Sequence, residues 1–483
     1  MSLPAISSPT AGSSHGIGMR SEGLPVTGAV SPPDGGTDPP AVTPEETQPS
    51  TPSRRSALGR CTTPLVIVLG MVVMGLRRGG LFTDPKLWAE DGVIFWSDSR
   101  RFPLWTTIFH PYDGYLHVVP RILAAFTALF PIGFTPVMFA GLAVVATTLA
   151  CSLVLRPEIG WLIPSYPVRV VVFFGFVILP GAGSEVNGTL TGIEEYLAAA
   201  LLVLSLSRDP AVPWARRLLL PATAVMGLTG PFTPVLAPAF WFRAWRSRTR
   251  YSVAMAGTVT GCAAIMMTVL VLSGTGSSEA HQILGIFSAD WVVTGHNAVL
   301  GTFGSLLFGR SVLTSLWTDP TLHFELWLGC LVMLGLAVLA CRDLPRSVAL
   351  GLAIAMAGSV VSVIYRLPGG WANLGNLNLG NRYYALPVEI VIVVLGISLA
   401  KRIGRSSRVG WLLAAAPVLL TAQGCLLGLP LTALPSIGWA NSVSCLDTGS
   451  VCTIPVDPPG WTVYMSESPH ALQAFCDKIN CGG

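Results

Sequence analysis

The stretch 384–400, YALPVEIVIVVLGISLA, decides the fold, because a nearly unbroken apolar run of about 20 residues is long enough to cross a bilayer. The chain has 483 residues, of which 51% are hydrophobic and only 11% are charged. A soluble protein would carry roughly twice that charge. Similar runs recur, so we predict an all-α polytopic membrane protein, with further spans at 62–82, 134–155, 168–180, 189–207, 252–273, 324–341, 347–366 and 410–430.

The positions of the basic residues predict the orientation of these spans. Three arginines in the segment 54–60 precede the first run, which keeps the N-terminus in the cytoplasm. Arg77 and Arg78 near the far end of that run count against this, and we expect them to snorkel to the interface or serve an outer site. The later basic loops agree if 218–242 is a hairpin broken at TGPFTP; they are 208–217, 243–250, 342–346 and 401–408.

Composition divides the chain into three parts. Residues 1–58 are rich in Pro, Ser, Thr and Gly and are predicted to be a disordered cytoplasmic tail. Residues 59–430 form the membrane domain, with about 10 to 12 segments of spanning length, and 431–483 form a small extracytoplasmic cap. Whether 115–131 crosses the membrane stays open, and 274–323 is predicted to be an outer loop.

Four cysteines lie close together in the polar C-terminal part: Cys445, Cys452, Cys476 and Cys481. Such a cluster predicts two disulfides, with three possible pairings. The alternative is a metal site, although the spacings Cys-x6-Cys and Cys-x4-Cys are unusual for zinc. Disulfides form in oxidising compartments, so this prediction also places the C-terminus outside the cytoplasm.

The first outer loop, 83–114, contains an acidic pair, Glu90 and Asp91, within KLWAEDGVIFW. Carboxylates held near lipid are costly, and they tend to serve function. Two acids can bind a divalent cation, or one can take a proton from a hydroxyl nucleophile. The alternative is a solvated loop whose acids only keep it in water.

Two further groups of polar residues are predicted near the same face. Glu194 and Glu195 lie at the outer end of an apolar run, where they either contribute to a site or pair with an arginine such as Arg382. Arg382, and less strongly Arg366, can grip a phosphate at the outer interface. The alternative for both arginines is snorkelling at the end of a span.

Five pieces of the sequence resemble GT-C fold glycosyltransferases, in a poorly characterised bacterial branch. They are LWAEDGVIFW, PYDGYLHVVPRILA, SEVNGTLTGIEEYLAAALLVL, TGPFTPVLAPAFWFR and NRYYALPVEIVIVVL. The resemblance implies a GT-C-like helical bundle that takes a sugar from a polyprenyl-phosphate donor outside the cytoplasm. It also implies that Asp91 or Glu90 is the catalytic base or holds a divalent cation, Mg²⁺ or Mn²⁺, and that Arg382 lies near the donor phosphate.

Other residues in or near these pieces are expected to bind substrate: Tyr112, Asp113, Tyr115, His117, Arg121, Glu185, Asn187, Glu194, Glu195, Asn381 and Tyr383. The expected function is transfer of the sugar, with inversion, to a glycan, lipid or protein acceptor. The alternatives are a transporter or flippase of a lipid-linked glycan, an O-antigen ligase or polymerase, and a membrane scaffold. The expected partners are the lipid-linked donor, the acceptor and membrane lipids, and no basic stripe suggests nucleic acid. The expected location is a bacterial plasma membrane.

Overall fold

The computed structural model describes residues 54–77, 80–273, 291–366, 381–403, 408–429, 431, 438–448, 450–466, 468, 470–472 and 474–475. Residues 1–53 of the predicted tail lie outside these ranges, and the first helix begins at Arg54, so 54–58 are helical. The early helices are α1 Arg54–Arg77, α2 Ser97–Arg101, α3 Leu104–Phe109, α4 Val118–Thr127, α5 Thr135–Cys151, α6 Tyr166–Ile178, α7 Ile193–Leu206, α8 Pro213–Gly227, α9 Thr233–Ser247 and α10 Arg250–Leu272. The later ones are α11 Trp291–Val299, α12 Ser305–Thr318, α13 His323–Cys341, α14 Arg346–Arg366, α15 Ala385–Ile403, α16 Arg408–Leu427 and α17 Trp439–Ser442.

The coarse prediction of a helical membrane protein is confirmed. Within the described ranges, six helices are long and apolar enough to cross a bilayer: Ile132–Leu155, Arg250–Leu272, Gly295–Thr318, Pro320–Cys341, Arg382–Ile403 and Gly410–Leu427. Shorter apolar helices accompany them, including α1 and α6. The total number of crossings, their orientation and the GT-C likeness stay predictions.

Helix α15 lies at the centre of the bundle. Apart from Glu389 and the basic residues of its last turn, it is apolar on all sides, and it is almost completely buried, as expected of a helix surrounded by other helices. Its neighbours are α6, α7, α13, α14 and α16. Gly396 permits the close approach of α6, because a Cβ there would lie 2.4 Å from Val172 Cγ2. This helix therefore fixes the position of the residues just before it, including Arg382.

The prediction that 274–323 is an outer loop is wrong for its second half. Residues Gly295–Thr318 form a helical segment of spanning length. Gly309 interrupts it with φ of 65°, and a Cβ there would lie 2.6 Å from the backbone nitrogen of Gly428. Glycine is needed for both the left-handed backbone and the contact. Gly309 thus serves the close packing of this segment against the end of α16.

Two short connections also differ from simple spans. The segment 115–131, whose crossing was left open, contains only the ten-residue helix α4. At 1.5 Å per residue it is about 15 Å long, half the hydrocarbon thickness. The predicted break at TGPFTP is confirmed, because α8 ends at Gly227 and α9 begins at Thr233.

Arg77 is buried rather than snorkelling to the interface. Its Nη2 donates to the carbonyl of Ala182 at 2.8 Å, and its Nε donates to the carbonyl of Gly428 at 3.3 Å. Its Nη1 also reaches Asn187 Oδ1 at 3.5 Å. The side chain therefore ties the end of α1 to the turn before α7 and to the end of α16.

The C-terminal part contains a hairpin that contacts the first loop. Strands β1 (Cys452–Val456) and β2 (Trp461–Met465) pair antiparallel. The backbone nitrogen of Asp457 donates to the carbonyl of Leu87 at 3.1 Å, close to the acidic pair. A disulfide joins Cys445 and Cys452, which confirms that part of the cysteine prediction. Cys476 and Cys481 lie outside the described residues, and the extracytoplasmic location of this part stays a prediction.

We expect Arg77→Met to lower the free energy of unfolding by about 3 kcal/mol, because several buried carbonyl groups lose their donor. The measurement is denaturant unfolding in mixed micelles, followed by tryptophan fluorescence. Arg217→Met is the matched control, because Arg217 is exposed. Equal stability of the two variants would contradict the proposed role of Arg77.

Candidate active site

The two acids of the pair 90–91 engage different partners. Asp91 begins a short π-helix, Asp91–Trp96, and its side chain is buried. Its Oδ1 accepts from Thr191 N at 2.8 Å and from Thr191 Oγ1 at 2.7 Å, and its Oδ2 accepts from Leu190 N at 3.0 Å. Both oxygens are therefore filled by donors from the residues that precede α7.

The surroundings of Asp91 suit a charged anchor. Burial raises the pKa of Asp91 to about 6, although the hydrogen bonds from Thr191 and Leu190 oppose that rise. At neutral pH the group is still ionised, and its charge lies just before the N-terminus of α7, where the helix dipole favours an anion. We interpret Asp91 as a positioning residue that holds the loop against α7.

Glu90 faces a cation instead. Its Oε1 lies 3.8 Å from Arg382 Nη1, and Arg382 Nε lies 3.4 Å from Glu185 Oε1. These distances exceed the 2.7 to 2.9 Å of strong charge-assisted bonds. Burial raises the pKa of Glu90 above its ordinary value, and the charge of Arg382 opposes that rise. The guanidinium is thus shared loosely between two carboxylates, so a competing anion could displace them.

A tight turn brings more polar groups to Arg382. Asp113 and Gly114 have φ of 53° and 81°, and Tyr112 and Tyr115 exchange backbone hydrogen bonds around them. Asp-Gly favours such a turn, because both central residues need positive φ. Tyr115 then donates its hydroxyl to Glu194 Oε1 at 3.3 Å. Turn geometry explains the backbone of Asp113 without any strain that would need a functional cause.

His117 joins this turn to α7 and to the break between α8 and α9. Its Nε2 lies 3.6 Å from Glu194 Oε2, and its ring centroid lies 4.3 Å from that of Tyr115. The backbone of His117 forms a bridge with Thr229. The break between α8 and α9 therefore brings residues 229–232 into contact with Glu194.

These elements form a pocket that is lined by both polar and apolar residues. The pocket has a volume of about 30 Å³, which holds about two water molecules. Binding a sugar there therefore requires Arg382 or the turn to move. The lining residues are Asp113, Tyr115, Glu194, Glu195, Pro231, Phe232, Val235, Ser359, Arg382, Tyr383 and Leu386.

Two arginines, Arg77 and Arg310, contact the turn that carries Glu185. Arg77 contacts Asn187 and the carbonyl of Ala182. Arg310 lies against Gly183, where a Cβ would be 1.9 Å from its Nη1. The charge of Glu185 also acts on Arg310. The carboxylate of Glu185 thus interacts electrostatically with Arg310 and lies 3.4 Å from Arg382 Nε.

Some predicted site residues lie elsewhere. Arg121 is fully buried, with its Nη1 2.8 Å from Asp98 Oδ2, and does not line the pocket. Asn187 is fully buried behind the turn, where it accepts from Arg77. Tyr112 lies beside Glu90, and burial followed by the charge of Glu90 raises the pKa of Tyr112 to about 12. The side chains of Arg366 and Asn381 lie outside the described residues.

Two charged residues of the membrane domain were not among the predicted site residues: Arg310, which is half-buried, and Glu389, which is fully buried. Arg310 was assigned to an outer loop, and Glu389 was passed over within the apolar run 384–400. Glu389 is fully buried on α15, and neither of its oxygens has a hydrogen-bond partner among the residues that the structure describes. A lone acid in a spanning run was the available signal, since such groups are costly and tend to serve function.

The acidic pair does not fit a shared metal ion in this arrangement. Asp91 is filled by amide and hydroxyl donors, whereas Glu90 faces Arg382. In the part of the chain that the structure describes, no three His, Cys, Asp or Glu side chains are grouped to hold a metal. The predicted divalent cation remains a prediction, and no step below uses it.

Comparison with protein-family models, curated proteins and solved structures found no match.

We expect Asp91→Asn to lower the free energy of unfolding by about 1 to 3 kcal/mol, because the new amide group faces the N–H of Leu190 as a second donor. Thermal unfolding in detergent measures the loss. Asp113→Asn is the matched control, since Asp113 is exposed. An unchanged unfolding midpoint in Asp91→Asn would show that these bonds do not hold the loop.

Proposed function

We propose that the chain is an integral-membrane glycosyltransferase of the GT-C kind. It would transfer a sugar from a polyprenyl-phosphate donor to an acceptor hydroxyl, with inversion at the anomeric carbon. The observation that carries this proposal is the Arg382 guanidinium, which lines a pocket of polar and apolar residues and is held loosely by Glu90 and Glu185. A guanidinium matches a phosphate, and a neighbouring carboxylate can accept a proton.

The chemistry assigns one role to each side of this ion pair. The donor phosphate would replace the carboxylates on Arg382, which leaves Glu90 without its cation. Glu90 then takes the proton of the acceptor hydroxyl as the new bond from oxygen to the anomeric carbon forms. The bond from that carbon to the phosphate oxygen breaks, its electron pair stays on the phosphate, and Arg382 stabilises the developing charge.

An apolar cavity beside the pocket supports a lipid-linked donor. It has a volume of about 330 Å³ and lies between α13, α14 and α15. Val360 of this cavity follows Ser359 of the pocket, and Ile390 lies one helical turn beyond Leu386. A phosphate at Arg382 and an isoprenoid tail in this cavity would therefore be next to each other. A soluble sugar nucleotide would not need the apolar part.

We expect Glu90→Gln to lower kcat by about a hundredfold or more, because a positioned general base contributes that much. The measurement is transfer of labelled sugar from polyprenyl-phosphate hexose and pentose donors by the purified chain. Asp319→Asn is the control, since the carboxylate of Asp319 is exposed and bonded to Thr321, whereas that of Glu90 lies beside Arg382. Wild-type turnover in Glu90→Gln would defeat the assignment, and movement of intact donor across the membrane without transfer would favour a flippase.

The decrease of kcat at low pH gives a second test of Glu90 as the catalytic base. The base acts only when it is ionised, so kcat falls as the pH drops through its pKa. Because burial raises the pKa of Glu90, we expect this limb above the ordinary glutamate value of about 4.3. The residual activity of Glu90→Gln is expected to lack the limb. A limb that persists unchanged in that variant would assign the base to another residue.

We expect Arg382→Ala to raise the donor KM by about tenfold or more, because a charge-assisted contact to the phosphate is lost. Arg382→Lys keeps the charge without the planar fork and is expected to lie between the two. Steady-state kinetics with varied donor concentration measure the change. A donor KM that is the same in all three proteins would remove Arg382 from the phosphate site.

A further inference from the structure

Two arginines converge on one tryptophan at the other end of α7. The guanidinium carbon of Arg246 lies 3.8 Å from the ring centroid of Trp161, and that of Arg208 lies 5.8 Å away. The ring is held in place, because Trp161 Nε1 donates to the carbonyl of Leu206 at 2.8 Å. We refer to Trp161, Arg208 and Arg246 as the Trp161 cluster. Its members come from the connection after α5, the end of α7 and the end of α9.

The nearby acids are already engaged by other residues. Asp209 accepts from Arg243 Nη2 at 2.7 Å and from the Thr249 hydroxyl. Glu158 accepts two hydrogen bonds from Arg156, at 3.1 and 2.8 Å. Over the described ranges, Arg208 and Arg246 have no ion pair with an acid. Two exposed cations thus share one ring, and within the described ranges no carboxylate pairs with either of them to offset their mutual repulsion.

The surroundings of the cluster indicate a lipid surface. Trp214 at the start of α8 and Trp245 at the end of α9 are each 66% exposed. Because α8 and α9 run as a broken hairpin, these two ends lie at the same end of the bundle as the cluster. Exposed tryptophans are typical of the level of the lipid headgroups. An anion that meets Arg208 and Arg246 there is therefore most simply a lipid headgroup.

We propose that the Trp161 cluster binds the phosphate of an anionic phospholipid. The phosphate lies between the two guanidiniums, each of which donates to its oxygens, as basic pockets between membrane helices do with lipid headgroups. The acyl chains then run along the exposed apolar surface near Trp245 and Trp214. The site is distinct from the pocket at Arg382 and does not depend on the proposed transfer reaction.

The test is native mass spectrometry of the full chain in detergent, titrated with phosphatidylglycerol or phosphatidylcholine. We expect the wild type to retain one phosphatidylglycerol in preference to phosphatidylcholine. We expect Arg208→Ala/Arg246→Ala to weaken that binding by about thirtyfold, since each arginine near a lipid surface contributes roughly a fivefold change in affinity. Unfolding in phosphatidylcholine checks that the double variant is folded.

Arg217→Ala/Arg250→Ala is the matched control, because it removes the same charge from two exposed arginines of the same loops. Retention of the lipid by this control supports the proposal. If both double variants lose phosphatidylglycerol equally, net charge explains the binding and the proposal is wrong. If both retain it equally, the Trp161 cluster is not the lipid site. Displacement of phosphatidylglycerol by inorganic phosphate at equal concentration would overturn the lipid assignment in favour of a soluble anion.

Discussion

The carboxylate of Asp91 is the contact on which the arrangement of the pocket depends. Its three hydrogen bonds join the loop after α1 to the residues before α7. Glu90 is the preceding residue, and Glu194 lies in the first turn of α7. This buried carboxylate is strongly anchored, because its loss would leave three buried donors of Leu190 and Thr191 unsatisfied. Asp91 therefore fixes Glu90, the carboxylate beside Arg382, relative to Glu194 of the pocket lining, although Asp91 itself does not line the pocket.

Bond length separates structural charges from exchangeable ones in this chain. Arg121 with Asp98 and Arg243 with Asp209 have contacts of 2.8 and 2.7 Å, and neither pair lines the pocket. Arg382 instead lies 3.8 and 3.4 Å from two carboxylates. A short ion pair inside a protein is costly to break, whereas a loosely shared cation loses little when a phosphate replaces its carboxylates. This difference is the physical reason to place ligand binding at Arg382.

Much of the fold could be predicted from the sequence, since apolar runs report spanning helices directly. The runs 252–273 and 324–341 differ by only a few residues from α10 and α13. The helical segment 295–318 was not predicted, because a glycine such as Gly309 favours a loop in the sequence, whereas in the structure it permits close helix packing. The site was predicted less completely. The sequence predicted one site for Glu90 and Asp91 together. Only the long-range contacts, of Asp91 with Thr191 and of Glu90 with Arg382, show that the two acids have different surroundings.

The geometry of α7 links the pocket to the predicted orientation. The helix is completely buried, with Glu194 and Glu195 in its first turn. Leu206 at its last turn accepts the hydrogen bond of Trp161, and Arg208 follows directly. Fourteen residues give a length of about 21 Å, so the acidic pocket and the basic cluster lie at opposite ends of one helix. Arginines favour the cytoplasmic side of membranes. If the cluster faces that side, the pocket opens on the other, where lipid-linked sugars are consumed in the proposed reaction.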